Sequence, residues 1–368
     1  MYCSWNNSNK KQYILNIGPQ HPSTHGLVRF ELLLEDELII DVKIHRGYLH
    51  RNIEELIKNK SYLQTIPYLD RLDYLSSLCT EHAYVLTIEK LLGITDEIPE
   101  YVEYRRILVS EINRIASHLI AIGTFGMDLG CTTAFLWTMK SREFIIQLLQ
   151  KLTKKRLLYN YINIGYAPDI DNLLLDDIHD LMNKLSRELP DLEILLFNNM
   201  IFKSRTVNIG IKKTNVTGPC IRATGKKYDI RKTNSYSLYS KLDFDIPILK
   251  NADSYDRMKI RYLECFESIK IIDQIIPILK SHQYSDFKMK KIPVLNEDKE
   301  IECKYENPRG EICFNIKMNA YDNKPICKLM TPSMINLTNL ENVIKNHCLS
   351  DLFAIWGSMD IIISEVDK

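Results

Sequence analysis

No CxxC pair occurs anywhere in the chain, and its nine cysteines are scattered and odd in number. A disulfide framework and a self-contained zinc or iron–sulfur site are therefore not expected; reduced thiols in a reducing compartment are. No run approaches the ~20 apolar residues that a membrane-spanning helix requires. The stretches Leu119–Ile122 and Ile271–Leu279 are short and broken by Gly, Asp, Gln or Pro. A GxxxxGK[ST] phosphate loop, a Rossmann glycine fingerprint and an HExxH helix are also missing, which argues against a bound nucleotide, flavin or protease zinc. Nor is there an excess of one charge: 48 basic residues against 47 acidic ones leave +1, and so no field to attract nucleic acid. Neither a signal peptide nor an Arg/Ser-rich transit peptide precedes the first strand-like run, so the chain is expected to be made where it works.

What is present is the pattern of an ordinary folded protein, and 368 residues suggest two or three packed subdomains. "QYILNIG" (Gln12–Gly18) alternates like a strand. "LVRFELLLED" and "ELIIDVKIH" meet at Glu35-Asp36-Glu37 as a hairpin. Helical spacing follows over Leu69–Leu92, where Gly93 is the stop, and then over about Pro99–Gly123, Thr133–Leu158 and Leu173–Phe197. Short connections between these helices predict an antiparallel bundle. "TVNIGIKK" and "TGPCIRATGKKYDIRKT" carry mixed strand and loop signals. A further helix is expected over about 253–280, "KSHQYSDFKMKK" and "NEDKE" as exposed linker, and "GEICFNIKM" and "KPICKLM" as paired strands. The fold class is thus α+β: an N-terminal α/β region (1–60) with a small sheet, a central bundle of long helices (61–200) and a mixed strand/helix region (201–368).

Three stretches carry chemistry. In "GPQHPSTHG", His21 and His25 are four apart, but Pro22 argues against a helix, and a metal would need further ligands that the sequence does not nominate. His21 reads as a turn former. His25 fits that reading less well, because Gly26 beside it lets another chain segment or a ligand approach closely. "YLDRLDYL" places Asp70, Arg71, Asp73 and Tyr74 at the start of the first long helix. A helix dipole accounts for the acids, but not for Arg71 and Tyr74 in the same turn. "GTFGMDLG" ends the second long helix around Asp128, a carboxylate that beside a histidine can fix its tautomer and stabilise the imidazolium.

These stretches, with "GYLHRNIEELIKNKSYLQTIPYLDRLDYLS", "EINRIASHLIAIGT", "MDLG", "YDIRK", "FDIP", "YDRMKIRYLE" and "GSMDIIISEVDK", occur in an order that resembles the 49-kDa subunit family of respiratory complex I. That family is related to the large subunit of nickel–iron hydrogenases, whose metal is held by two CxxC pairs. Here the corresponding positions read "RLDYLS" and "DIIISE", without cysteine, so no nickel site is expected. The resemblance implies a hydrogenase large-subunit-like fold and a subunit of a proton-pumping NADH:ubiquinone oxidoreductase that is not active alone. It implies that this chain encloses the ubiquinone headgroup with an adjacent iron–sulfur subunit, whose tetranuclear 4Fe-4S cluster supplies electrons. It further implies 30-kDa-type and ferredoxin-like neighbours and a membrane-arm subunit at the quinone entrance. This chain would bind no cofactor or metal itself. Carried over by motif, the quinone-contacting histidine is His25, the tyrosine Tyr74, the carboxylate that holds the histidine Asp128, and a further pocket position Thr124. A scaffold subunit with a degenerate site is the alternative. Abundant Ile, Lys, Asn and Tyr suggest AT-rich coding and hence the matrix side of the mitochondrial inner membrane, with a bacterial cytoplasmic membrane as the alternative.

Overall fold

Strict alternation in β3 (Arg29–Glu35) buries Phe30, Leu32 and Leu34 on one face and leaves Arg29, Glu31 and Glu35 on the other. This strand lies between β2 (Gln12–Ile17) and β4 (Leu38–His45), and the two-residue β1 (Tyr2–Cys3) pairs with β2. The result is an antiparallel four-stranded sheet of order β1-β2-β3-β4. The hairpin read at Glu35–Glu37 is present, with Asp36 in the left-handed conformation that so tight a turn requires. The computed structural model describes residues 2–3, 12–281, 287–289, 293, 295–320 and 324–368.

Two short helices, α1 (Ile53–Lys58) and α2 (Tyr62–Leu69), lead into α3 (Ser77–Leu92), α4 (Glu100–Asp128), α5 (Thr132–Thr153) and α6 (Asn172–Leu192). Capping explains several of these boundaries. Ser61 and Gln64 form a reciprocal box at the start of α2, Asp171 accepts from Leu174 N at the start of α6, and Gly93 ends α3 with φ +71°. After α6, a π-helical turn (Glu193–Phe197) and the short helices α7 (Met200–Ser204), α8 (Pro219–Arg222) and α9 (Ile230–Thr233) precede α10 (Ser254–Ser281). α4 is the central helix and packs against α3, α5 and α10. The second sheet, β5 (Lys299–Asn307), β6 (Gly310–Met318) and β7 (Pro325–Met330), is antiparallel and covers α3, with Phe314 against Tyr84. The remaining helices are α11 (Pro332–Leu337), α12 (Leu340–Ile344), α13 (Leu352–Met359) and α14 (Ile363–Val366).

The structure departs from the sequence reading in several places; α4, for one, runs on to Asp128, past the expected end near Gly123. Residues 70–76 are not the start of a helix but a loop between α2 and α3. There Asp73 accepts from Leu75 N and Ser76 N and pairs with Arg309, a local and a distant partner that outweigh helix continuation. α5 stops at Thr153, before the expected Leu158, because Lys154 turns left-handed. "TVNIGIKK" holds no strand; Asn208 and Gly210 both take positive φ, which breaks an extended run. β5 begins inside the expected "NEDKE" linker, its first residues exposed and charged and its buried side chains at the far end. Most of 280–291, also read as linker, lies outside the described residues.

Two apolar cores result. The larger runs through the bundle and under the second sheet. The smaller joins distant parts of the chain: the buried face of β3 and β4 packs on Ile355, Trp356, Met359, Ile361, Ile363 and Val366, with Trp356 edge-on to Phe30 at 5.0 Å.

Candidate functional site

The histidine loop is built from its first histidine outward. His21 is extended and caps a single 3-10 turn, Pro22–Thr24, through Nδ1, which accepts from Ser23 N at 3.2 Å; its ring stacks on Phe353. Thr24 is buried, and its carbonyl accepts from the indole N–H of Trp356 at 2.8 Å. His25 closes the turn in a left-handed conformation, φ 51°. That conformation directs the ring away from the turn, and its Nε2 lies 2.9 Å from Asp128 Oδ2, with side chains 24% and 4% exposed. The approach is off the line of a hydrogen bond, and neither atom has another partner among the described residues. The contact is therefore chiefly electrostatic and strongest when the imidazole is protonated.

Asp128 is the last residue of α4, and Thr124 lies one turn earlier on the same face. The Thr124 hydroxyl donates to the Ile120 carbonyl at 2.8 Å, so its oxygen remains only as an acceptor.

Tyr74 projects from the 70–76 loop with 43% of its surface exposed, and its hydroxyl has no hydrogen-bond partner among the described residues. Even so, desolvation by the surrounding protein raises the phenol above its usual range. The Arg309 guanidinium opposes that shift, and Asp73 and Asp360 add to it. Arg309 is wholly buried, bonds both oxygens of Asp73 and lies 3.3 Å from Asp360. Glu365, also buried, accepts from Ser333; burial first, and then the charge of Asp73, push its carboxyl up to about 8.

Neighbouring residues of the C-terminal segment hold the two loops. Ile363 packs against Gly26, where an added Cβ would come within 2.9 Å of its side chain. Ser364 donates to the Leu72 carbonyl at 2.6 Å. The segment thus clamps the His25 loop and the Tyr74 loop side by side.

Of the residues singled out in the sequence, His25 and Asp128 are in contact, while Thr124 shares a helix face with Asp128 and Tyr74 shares the Ile363–Ser364 clamp with His25. Arg309, Asp360 and Glu365 were not singled out as site residues. Nor were the buried charges of α4, where Glu111 receives Arg114, Arg231, Tyr239 and Ser268. Burial alone would raise Glu111; Arg114 and Arg231 instead hold it at about 2. The available signal was charge at helical spacing inside an apolar run, as in Glu103, Arg106, Glu111 and Arg114. Among the described residues no group of three or more His, Cys, Asp or Glu side chains could hold a metal ion, and no helix is long and apolar enough to cross a membrane.

Comparison with known proteins adds a family. A profile of the respiratory-chain NADH dehydrogenase 49-kDa subunit matches residues 128–302 and 281–368. The chain is 41% identical to an NADH-quinone oxidoreductase subunit of Cytophaga hutchinsonii, over 98% of this chain and 97% of that protein. It is 40% identical to an NADH-quinone oxidoreductase subunit of Amoebophilus asiaticus, over 97% and 93%. With the like-named protein of Dehalococcoides mccartyi the identity is 39%, over 97% and 99%.

Proposed function

Since the chain belongs to the family of the respiratory-chain NADH dehydrogenase 49-kDa subunit, and is thus a core subunit of the NADH:quinone oxidoreductase complex, we propose that its His25 and Tyr74 loops form one wall of the quinone headgroup site. The observation that carries this reading is the clamping of both loops by Ile363 and Ser364. It keeps an imidazole and an unpartnered phenol on one stretch of surface.

Reducing a quinone to a quinol takes two electrons and two protons, so the two headgroup oxygens need donors. Electrons come from the 4Fe-4S cluster of the adjacent iron–sulfur subunit. In this chain, the His25 imidazolium, stabilised by Asp128, donates at one oxygen, and the Tyr74 phenol donates at the other. The raised Tyr74 pKa keeps its proton in place before reduction, so it serves as a hydrogen-bond donor to the quinone and yields the proton only to a reduced, more basic oxygen. Once His25 has given up its proton, the Asp128 charge is uncompensated and draws a replacement. Thr124 adds an acceptor beside them.

The partners in this reading are the iron–sulfur subunit across the headgroup, 30-kDa-type and ferredoxin-like subunits on other faces, and a membrane-arm subunit at the quinone entrance. The three relatives described above are bacterial and lend no support to a mitochondrial setting; the reading therefore takes the bacterial membrane, on its cytoplasmic side.

Tyr74→Phe and His25→Ala in the assembled complex are expected to lower quinone reduction by about 100-fold, the scale of losing a positioned proton donor. NADH oxidation by an artificial acceptor should be unchanged. Normal quinone turnover in both variants would overturn the assignment.

A further inference from the structure

The 70–76 loop is pinned at both ends, by two chemically different devices. At the far end, Asp73 is a carboxylate matched to Arg309 and to the hydroxyl of Ser76. At the near end, Asp70 is 1% exposed and meets Glu81 of α3, which is wholly buried. Among the described residues neither carboxyl pairs with a cation. Asp70 Oδ2 accepts from Asn160 N at 3.1 Å, and Glu81 Oε2 accepts from Tyr161 N at 2.8 Å and Ile162 N at 2.9 Å. The remaining oxygens, Asp70 Oδ1 and Glu81 Oε1, are buried and receive no donor from any other group among the described residues, while the two side chains lie within hydrogen-bonding reach of each other. Two facing carboxylates buried without a cation repel, and each leaves an orphaned acceptor. One proton between them removes both costs.

We propose that Asp70 and Glu81 share a single proton and, so joined, act as a positioning pair that fixes the near end of the loop carrying Tyr74. The proposal rests on the quinone-site reading above for its effect on catalysis, but not for the existence of the pair. Few charges face it. They are Arg71 on the loop itself, Lys155 from the segment after α5, and the Tyr159 phenol, which stands beside Arg142 and Arg156. Arg71 and Lys155 are exposed, so neither replaces the proton. Burial and the mutual repulsion raise Glu81 well above the usual carboxylate range, and burial raises Asp70 despite its hydrogen bonds. The sign follows: a raised carboxyl holds its proton to higher pH than an ordinary one, and rising pH strips the shared proton, so that repulsion loosens the loop. The two pins are thus chemically unlike, one an ion pair with a buried guanidinium and the other a proton shared by two buried carboxyls.

Glu81→Gln tests this in the assembled complex, because an amide can donate to Asp70 without titrating and leaves the net charge of the pair unchanged. Wild-type quinone reduction should fall on the alkaline side through a rise in KM and a loss of kcat. The Gln variant should stay within about twofold of wild type at neutral pH and lose that alkaline limb. Glu81→Leu should lower neutral turnover on the order of tenfold, within the range that misplacing a reacting group by an ångström can cost. NADH oxidation by an artificial acceptor reports on the rest of the enzyme and should not change in the Gln variant. Amide hydrogen exchange over residues 70–76 gives a readout independent of turnover. In wild type it should quicken with pH beyond the intrinsic base dependence, and in Glu81→Gln it should not. A Gln variant with wild-type exchange and a wild-type alkaline limb would overturn the proposal. If exchange follows the expected pattern while Tyr74→Phe reduces quinone normally, the pair stands and the quinone assignment falls.

Discussion

Around the Arg309 guanidinium gather Asp73, Asp360 and Glu365, and the third carboxyl is the one that stays protonated. Arg309 satisfies Asp73 directly and Asp360 at 3.3 Å, whereas Glu365 is bonded by the neutral Ser333 hydroxyl and keeps a buried oxygen without a donor. Its pKa of about 8 against an ordinary 4.5 has a stability consequence. A carboxyl raised by folding contributes stability that is fully present below its unfolded value and is lost as pH rises through the folded one. The thermal midpoint of the wild-type protein should therefore fall between pH 4.5 and about 8. Glu365→Gln, which keeps the shape without titrating, should flatten that part of the curve; equal slopes in the two proteins would contradict the assignment.

At the scale of elements, the exact placement of α4 decides where Asp128 sits. α4 and α5 approach so closely at Gly123 that an added Cβ would lie 2.1 Å from Thr138 Oγ1. Gly123→Ala should force the helices apart or push Thr138 from its rotamer, costing about 1–3 kcal/mol as overpacking does. It should also lower quinone reduction by shifting Thr124 and Asp128, which a melting curve and a turnover assay on one preparation would show together. Elements with a clean period were legible in the sequence, as in the alternation of β3, the stop of α3 at Gly93 and the start and stop of α10. The 70–76 loop was not. Its helical spacing continues that of α3, and what interrupts it is Arg309, a partner 236 positions away. β5 was missed for the opposite reason. Its exposed Lys299 and Glu300 look like linker, and its buried end only makes sense once β6 lies beside it. The candidate site divides in the same way. His25 and Asp128 stand in short polar motifs with glycines around them, which sets them apart in the bare sequence. Arg309, Asp360 and Glu365 are ordinary charges until folding strips them of water.

For the molecule as a whole, the decisive feature is the small core in which the N-terminal sheet and the C-terminal helices pack together. Trp356 is its largest buried side chain and also holds the Thr24 carbonyl of the histidine loop. Trp356→Ala should destabilise the protein by about 3–5 kcal/mol, the usual cost of emptying so large a site, and should free the histidine loop. Faster amide exchange at Ser23–Gly26 than in the bundle helices would show that the damage is local to this core; uniform protection would refute the link. The clamp at Ile363 and Ser364 has a consequence for how the site can change over generations. Because adjacent residues brace both loops, a substitution there reaches His25 and Tyr74 together, and a substitution in either loop is felt through the same brace. The effects of such changes do not add. The two loops are one heritable trait, open to coordinated replacement and closed to stepwise tuning.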